Sequence, residues 1–114
     1  MPHCIVDYSE DVAEQIDIDT LLEAVHLGAL ASGLFPEYDI KTRAVGFARH
    51  RTGQTQDSFV HVAVHLLDGR DDAQKAALSE SVLARIEPLL PGVVSVGVEI
   101  CDMHRLSYRK RVLD

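Results

Sequence analysis

Residues 58–67 read SFVHVAVHLL, and few stretches restrict a small chain more. Val60, Val62, Val64 and Leu66 fall on one side of a period of two. Phe59, His61, Ala63 and His65 fall on the other. The alternation predicts a strand with one aliphatic face and one mixed face. DGRDD at 68–72 then breaks the pattern, and Asp71 with Gln74 stands at capping-box spacing. A helix over about 72–87 follows, with Leu78, Val82, Ile86 and Leu89 as its buried stripe. Pro88 and the Pro-Gly pair at 91–92 end it. VVSVGVEI at 93–100 closes the unit as a strand, with Val94, Val96, Val98 and Ile100 facing the core.

The first half has the same order, about 56 residues earlier. HCIVDY at 3–8 is β-leaning. Residues 19–32 read as a helix, with Asp17 or Asp19 at its start. Its apolar stripe is Leu22, Val25, Ala29 and Leu30, and Gly33 suits its stop. DIKTRAVGFAR at 39–49 is a second strand, and HRTGQTQD at 50–57 a polar loop. The expectation is one domain over 1–114, with pseudo-repeat units at about 2–49 and 58–101. Each crossover is long enough to make its own two strands parallel. The fold class is α/β (α+β): two β-α-β units forming a four-stranded sheet with two helices on one face. No helix remains for the other face, which carries Phe59, His61, Ala63, His65, Ser95 and Gly97. A largely parallel sheet is usually covered on both sides, so a second copy is expected there.

The chain has 114 residues and a net charge of −7, which argues against a general nucleic-acid binder. A small anionic ligand stays possible, because a few local cations dominate inside a cleft. No apolar run reaches the roughly 20 residues of a membrane span, and no basic-then-apolar leader is read at the start. Cys4 and Cys101 fit no zinc or CxxC spacing. Both are read as free thiols in a reducing cytoplasm.

The six histidines give no metal site. His61 and His65 share a strand face, yet lie about 13 Å apart there. A Cys–His nucleophile from His3 and Cys4 fails because neighbours on a strand point to opposite faces. No phosphate-loop, dinucleotide or GxSxG motif occurs, and no cofactor is called for. Lys41 and Arg43, two apart on a strand, project together, and Arg70 follows the strongest strand. Taken alone, these are three solvated cations. They acquire a second meaning from the start of the chain, where Pro2 follows Met1. Removal of Met1 would leave a secondary amine. Cations nearby would lower its pKa toward the range where a general base works.

These residues resemble the 5-carboxymethyl-2-hydroxymuconate isomerase family of the tautomerase superfamily. The landmarks are the opening PHCIVDYS, GLFP at 33–36, IKTR at 40–43 and DSFVHVAVHLLDGR at 57–70. The resemblance implies a paired β-α-β fold assembled as a homotrimer, with the uncovered sheet faces turned inward. It implies a cofactor-independent proton shift in an unsaturated 2-hydroxy di- or tricarboxylic acid, within homoprotocatechuate-type aromatic catabolism. Pro2 would be the general base. Arg70 and Lys41 would hold the carboxylates, and Arg43 would share that role. Lys41 departs from the arginine expected at its position, replacing a planar fork with a point charge. Phe35 and Pro36 match the family's pair after the first helix, as pocket shaping or packing. The alternative is a non-catalytic trimeric binding or scaffold protein, with Pro2 merely starting a strand.

Overall fold

The computed structural model describes all of residues 1–114. Four strands, β1 (His3–Ser9), β2 (Lys41–Phe47), β3 (Phe59–Leu67) and β4 (Ser95–Met103), form one sheet in the order β2-β1-β3-β4. β1 runs parallel to β2, and β3 parallel to β4, each pair joined through a helix. α1 spans Ile18–Ala31 and α2 spans Asp72–Ile86. The two units meet along β1 and β3, which are antiparallel. One end of the sheet therefore gathers the beginnings of β1 and β2 and the ends of β3 and β4. Every functional residue discussed below lies at that end.

Alternation in β3 does what the sequence suggests. Val60, Val62, Val64 and Leu66 are at most 1% exposed, whereas Phe59, His61, Ala63 and His65 remain half-buried. Cys4 and Val6 of β1 join them under the helices, together with Leu21, Val25, Leu78, Val82 and Ile86. Truncating a buried leucine such as Leu78 to alanine in a core of this kind costs about 2–5 kcal/mol. Burial pushes the Cys4 thiol up to about 11, so this cysteine packs and does not react.

Capping explains where α2 begins. Gln74 N–H donates to the Asp71 carboxylate (2.8 Å), and Asp71 N–H donates to the Gln74 side chain (3.0 Å). α1 has Asp17 at the same place, but that side chain accepts from the Thr20 hydroxyl (3.2 Å) and caps no backbone N–H. The buried stripe of α1 also differs from the expectation. It consists of Leu21, Val25, Gly28 and Ala29, with Leu22 and Leu30 only partly covered. The reason is a close helix crossing. A Cβ on Gly28 would sit 2.7 Å from Val82 Cα, so glycine lets α1 rest directly on the α2 backbone. Ser81 Oγ secures the crossing by donating to Gly28 O (2.7 Å).

Three boundaries move as well. β4 is not 93–100 but Ser95–Met103, because it pairs along the full length of β3, Phe59 with Ser95 through Leu67 with Met103. Val94 accordingly stands outside the strand at 67% exposure, while Val93 is buried. Leu89 sits in a 3-10 turn (Glu87–Leu89) and is exposed; Leu90 takes the buried place. β2 is shorter than 39–49, since Glu37–Asp39 also form a 3-10 turn.

The sheet face away from the helices is open. Cross-strand register puts Lys41, His3, His65 and Cys101 in one row, and Arg43, Ile5, Ala63 and Glu99 in the next row on the same face. No helix of the chain is long and apolar enough to cross a membrane.

Candidate active site

The cavity at the functional end has a volume of about 580 Å³. Met1 lines it from just before the start of β1, and Asp39 from the turn before β2. Leu67, Gly69 and Arg70 do so from the turn after β3, and Leu34 and Pro36 from the segment after α1. Arg105, Tyr108 and Lys110 reach it from beyond β4. Nothing in the local pattern of the last segment suggested a structural role. In the structure a 3-10 turn at Arg105–Ser107 folds it back across the sheet end.

Arg70 is held by its surroundings rather than by a counter-ion. Its Nη2 donates to Leu34 O (3.1 Å) and its Nη1 to Leu67 O (3.4 Å). Its guanidinium carbon stands 5.5 Å from the centre of the Phe35 ring, which is buried. GLFP thus has two tasks: its leucine carbonyl and phenylalanine ring fix the arginine, and its proline forms cavity wall. Gly69 has φ +117, a backbone setting that glycine adopts freely and that brings the chain from β3 round to Arg70. No carboxylate pairs with Arg70. Its positive charge is free to act on an anion in the cavity.

The terminal amine belongs to the same cavity. Met1 is 8% exposed, and its nitrogen lies 3.8 Å from Asp39 Oδ2. Lys110 Nζ donates to Asp39 Oδ1 (3.2 Å). Burial pulls the amine below its ordinary value. Asp39 opposes that pull, and Lys110 and Lys41 add to it. The Lys110 ammonium and its hydrogen bond in turn hold the Asp39 carboxyl below the usual carboxylate range. Pro2 itself is fully buried, and its carbonyl accepts from Lys41 N–H (3.1 Å). Its nitrogen is part of the Met1–Pro2 peptide bond in this chain, so it carries no basic lone pair as it stands.

Of the four residues singled out from the sequence, Arg70 lines the cavity, and Pro2 does not, being the residue after Met1, which does. Lys41 is not among the lining residues; its Nζ donates to Asp39 O (3.3 Å), and it acts on the amine through its charge. Arg43 is not brought to the cavity either. It lies on the open face, where its Nη1 donates to His3 Nδ1 (3.1 Å). Because arginine only donates, Nδ1 accepts and the ring proton sits on Nε2. Nε2 then faces the Tyr108 hydroxyl at 3.4 Å. Burial and the neighbouring Arg43 and Lys41 charges hold the His3 pKa below its ordinary value, consistent with a neutral ring.

Asp39, Arg105, Tyr108 and Lys110 were not foreseen. The available signal was the concentration of basic residues in 105–111 (Arg105, Arg109, Lys110, Arg111) around one tyrosine, in a chain of net charge −7. No group of histidine, cysteine and acidic side chains is arranged to hold a metal ion.

The family model for 5-carboxymethyl-2-hydroxymuconate isomerase matches residues 2–97. The chain belongs to that family. No curated protein matches the sequence. Among solved structures, a 5-carboxymethyl-2-hydroxymuconate isomerase from Deinococcus radiodurans R1 is similar at 21% identity and TM-score 0.84, over 96% of this chain and 88% of that one. A 5-carboxymethyl-2-hydroxymuconate delta-isomerase is similar at 17% identity and TM-score 0.80, over 98% and 88%. The Q0 fused 4-OT wild type symmetric trimer is similar at 18% identity and TM-score 0.78, over 93% and 89%. At such identities the shared feature is the fold. The 5-carboxymethyl-2-hydroxymuconate isomerase match ends at residue 97, before Arg105, Tyr108 and Lys110.

Proposed function

We propose that this chain is a cofactor-independent isomerase that moves a proton within an unsaturated 2-hydroxy di- or tricarboxylic acid. The observation that carries this reading is one cavity lined by both the buried chain terminus and the unpaired Arg70 guanidinium. Removal of Met1 would turn the Pro2 nitrogen into a secondary amine. It would open toward the space that Met1 occupies, within the field of Lys41, Lys110 and Asp39.

The neutral amine takes the proton of the enol hydroxyl, and the oxygen becomes a dienolate. Arg70 holds a substrate carboxylate and stabilises the negative charge that spreads along the conjugated system. The resulting ammonium returns the proton to carbon, and the carbonyl forms as the double bond shifts. Proton and electrons balance, and the amine is regenerated. Fixed charge of this kind typically contributes about 3–4 kcal/mol per donor, and a positioned base about 10²–10⁴-fold.

Similarity of fold to trimeric relatives and the open sheet face support a homotrimer. The uncovered strands would pack inward, which would bury Phe59, His61, Ala63 and His65. We assign Lys41 to tuning the amine rather than gripping the substrate.

The test is a ketonisation assay on 2-hydroxymuconate with protein whose intact mass shows Met1 removed. Processed protein is expected to turn over, and Met1-retaining protein to be inactive. Pro2→Ala keeps a free amine but loses the ring, and is expected to lose about 10²-fold or more in kcat/KM. No turnover by processed protein would leave the scaffold reading standing, and equal turnover with and without Met1 would exclude Pro2 as the base.

A further inference from the structure

We propose that Arg105 is a specificity-determining anion anchor, which holds a second carboxylate of an unsaturated dianion whose first carboxylate Arg70 binds. The inference rests on the isomerase reading for the reaction but not for the binding. Arg105 lies on the segment after β4 that lines the cavity beyond the family-matched residues. That segment is tied down at three points: Arg105 to Asp68, Tyr108 to His3, and Lys110 to Asp39. It is a wall of the cavity, not a loose end.

Three cations on that wall and its surroundings line the cavity, and their pairing separates them. Lys110 is matched by Asp39 within the cavity itself. Arg70 has no carboxylate partner. Arg105 is in between. Its Nη2 donates to Asp68 O (2.9 Å) and its Nε lies 3.7 Å from Asp68 Oδ1. Nη1 makes no hydrogen bond. Arginine carries five N–H donors in a planar fork, so the Asp68 contacts aim the group and leave donors over. Asp68 does not line the cavity, whereas Arg105 does. Arg105 Nη2 also stands 3.8 Å from where a Cβ on Gly69 would be, and Gly69 immediately precedes Arg70. Two guanidinium groups thus reach the cavity around one bare stretch of backbone. A dianion can give each of them its own carboxylate.

A matched pair of ligands isolates this effect. trans,trans-Muconate and sorbate share a six-carbon diene, and sorbate has a methyl group in place of one carboxylate. Neither has an enol, so both bind without turnover. Titration calorimetry on the processed full-length chain is expected to show muconate preferred over sorbate. Arg105→Gln is expected to weaken muconate about tenfold or more and to leave sorbate within about twofold. Arg105→Lys is expected to recover part of the loss. The proposal is overturned if the wild type shows no preference, if both ligands weaken together in Arg105→Gln, or if neither changes. Ketonisation of 2-hydroxymuconate, measured in parallel, separates the two readings. An inactive protein that keeps an Arg105-dependent preference refutes the isomerase alone. An active one without that preference refutes the anchor alone.

Discussion

The two ends of the sheet start from equivalent positions and finish differently. Lys41 N–H donates to Pro2 O at one end, and Ser95 N–H donates to Ser58 O at the other, both at 3.1 Å. Each bond fixes the entry of one β-α-β unit, and Ser58 is the counterpart of Pro2. At the Ser58 end the chain is continuous and the serine hydroxyls are taken up by backbone N–H groups, although His50 Nδ1 is buried without a partner. Ser58 Oγ accepts from Val94 N–H (3.0 Å), Ser9 Oγ accepts from Phe59 N–H (3.0 Å), and the Phe59 ring meets Phe47 at a tilt and His50 edge to face. No cavity forms there. At the Pro2 end Met1 lines a cavity, Arg70 keeps an unmatched charge, and Arg105, Tyr108 and Lys110 line that space instead of filling it. One architecture therefore supplies two similar sites, and the connections decide which one is open for chemistry.

Substitutions at the two ends should separate activity from stability. The largest effect is expected at the open end. Arg70→Ala should lower kcat/KM by about 10²–10³-fold, the typical loss of one charge-stabilising donor. Its partners are carbonyls that solvent can replace, so the melting temperature should hardly move. Arg70→Lys should recover only part, because an ammonium cannot span both Leu34 O and a carboxylate in a plane. Equal losses of activity and melting temperature would make Arg70 a structural residue. Ser58→Ala should do the reverse. It removes the partner of the Val94 N–H, which lies on a residue 67% exposed and can turn to water, at a cost of about 0.5–1.5 kcal/mol. Thermal unfolding should report that loss while steady-state kinetics on processed protein stays unchanged. A fall in kcat/KM beyond the unfolded fraction would show that the ends are coupled.

Legibility in the sequence followed the same division. Strand alternation in 58–67, the Asp71–Gln74 box and the count of two helices were enough for the sheet, its parallel pairs and its open face, because these are local patterns with one period each. The α1 stripe was misread because Gly28 has no hydrophobicity to register; its role appears only when Val82 is opposite. β4 was misplaced because Cys101, Asp102 and Met103 are held as a strand by pairing with β3 and not by their own character. Arg70 was legible from its place after the strongest strand. The tail was not. Arg105, Tyr108 and Lys110 are distant in sequence from Met1 and Arg70, and no periodicity marks residues that meet only because β4, across β3 from β1, ends at the sheet end where β1 begins.

The smallest expected effect is also the most specific to the open end. Burial, with Lys110 and Lys41, favours the neutral form of the Met1 amine, and Asp39 favours its charged form; the Pro2 amine left by Met1 removal is expected to feel the same charges. A general base must be neutral to accept a proton, so kcat/KM should fall as pH drops through the amine's pKa. Asp39→Asn removes the group that supports the ammonium and releases Lys110 from its partner. Both changes lower the pKa. The acid limb of the pH profile should therefore move to lower pH, with Arg70-dependent binding of a carboxylate inhibitor retained. Ser58 has no titrating counterpart, and Ser58→Ala should leave that limb in place. An Asp39→Asn limb that stays put, or moves upward, would mean that the working base does not face Asp39, and the open end would lose its claim to the terminal amine.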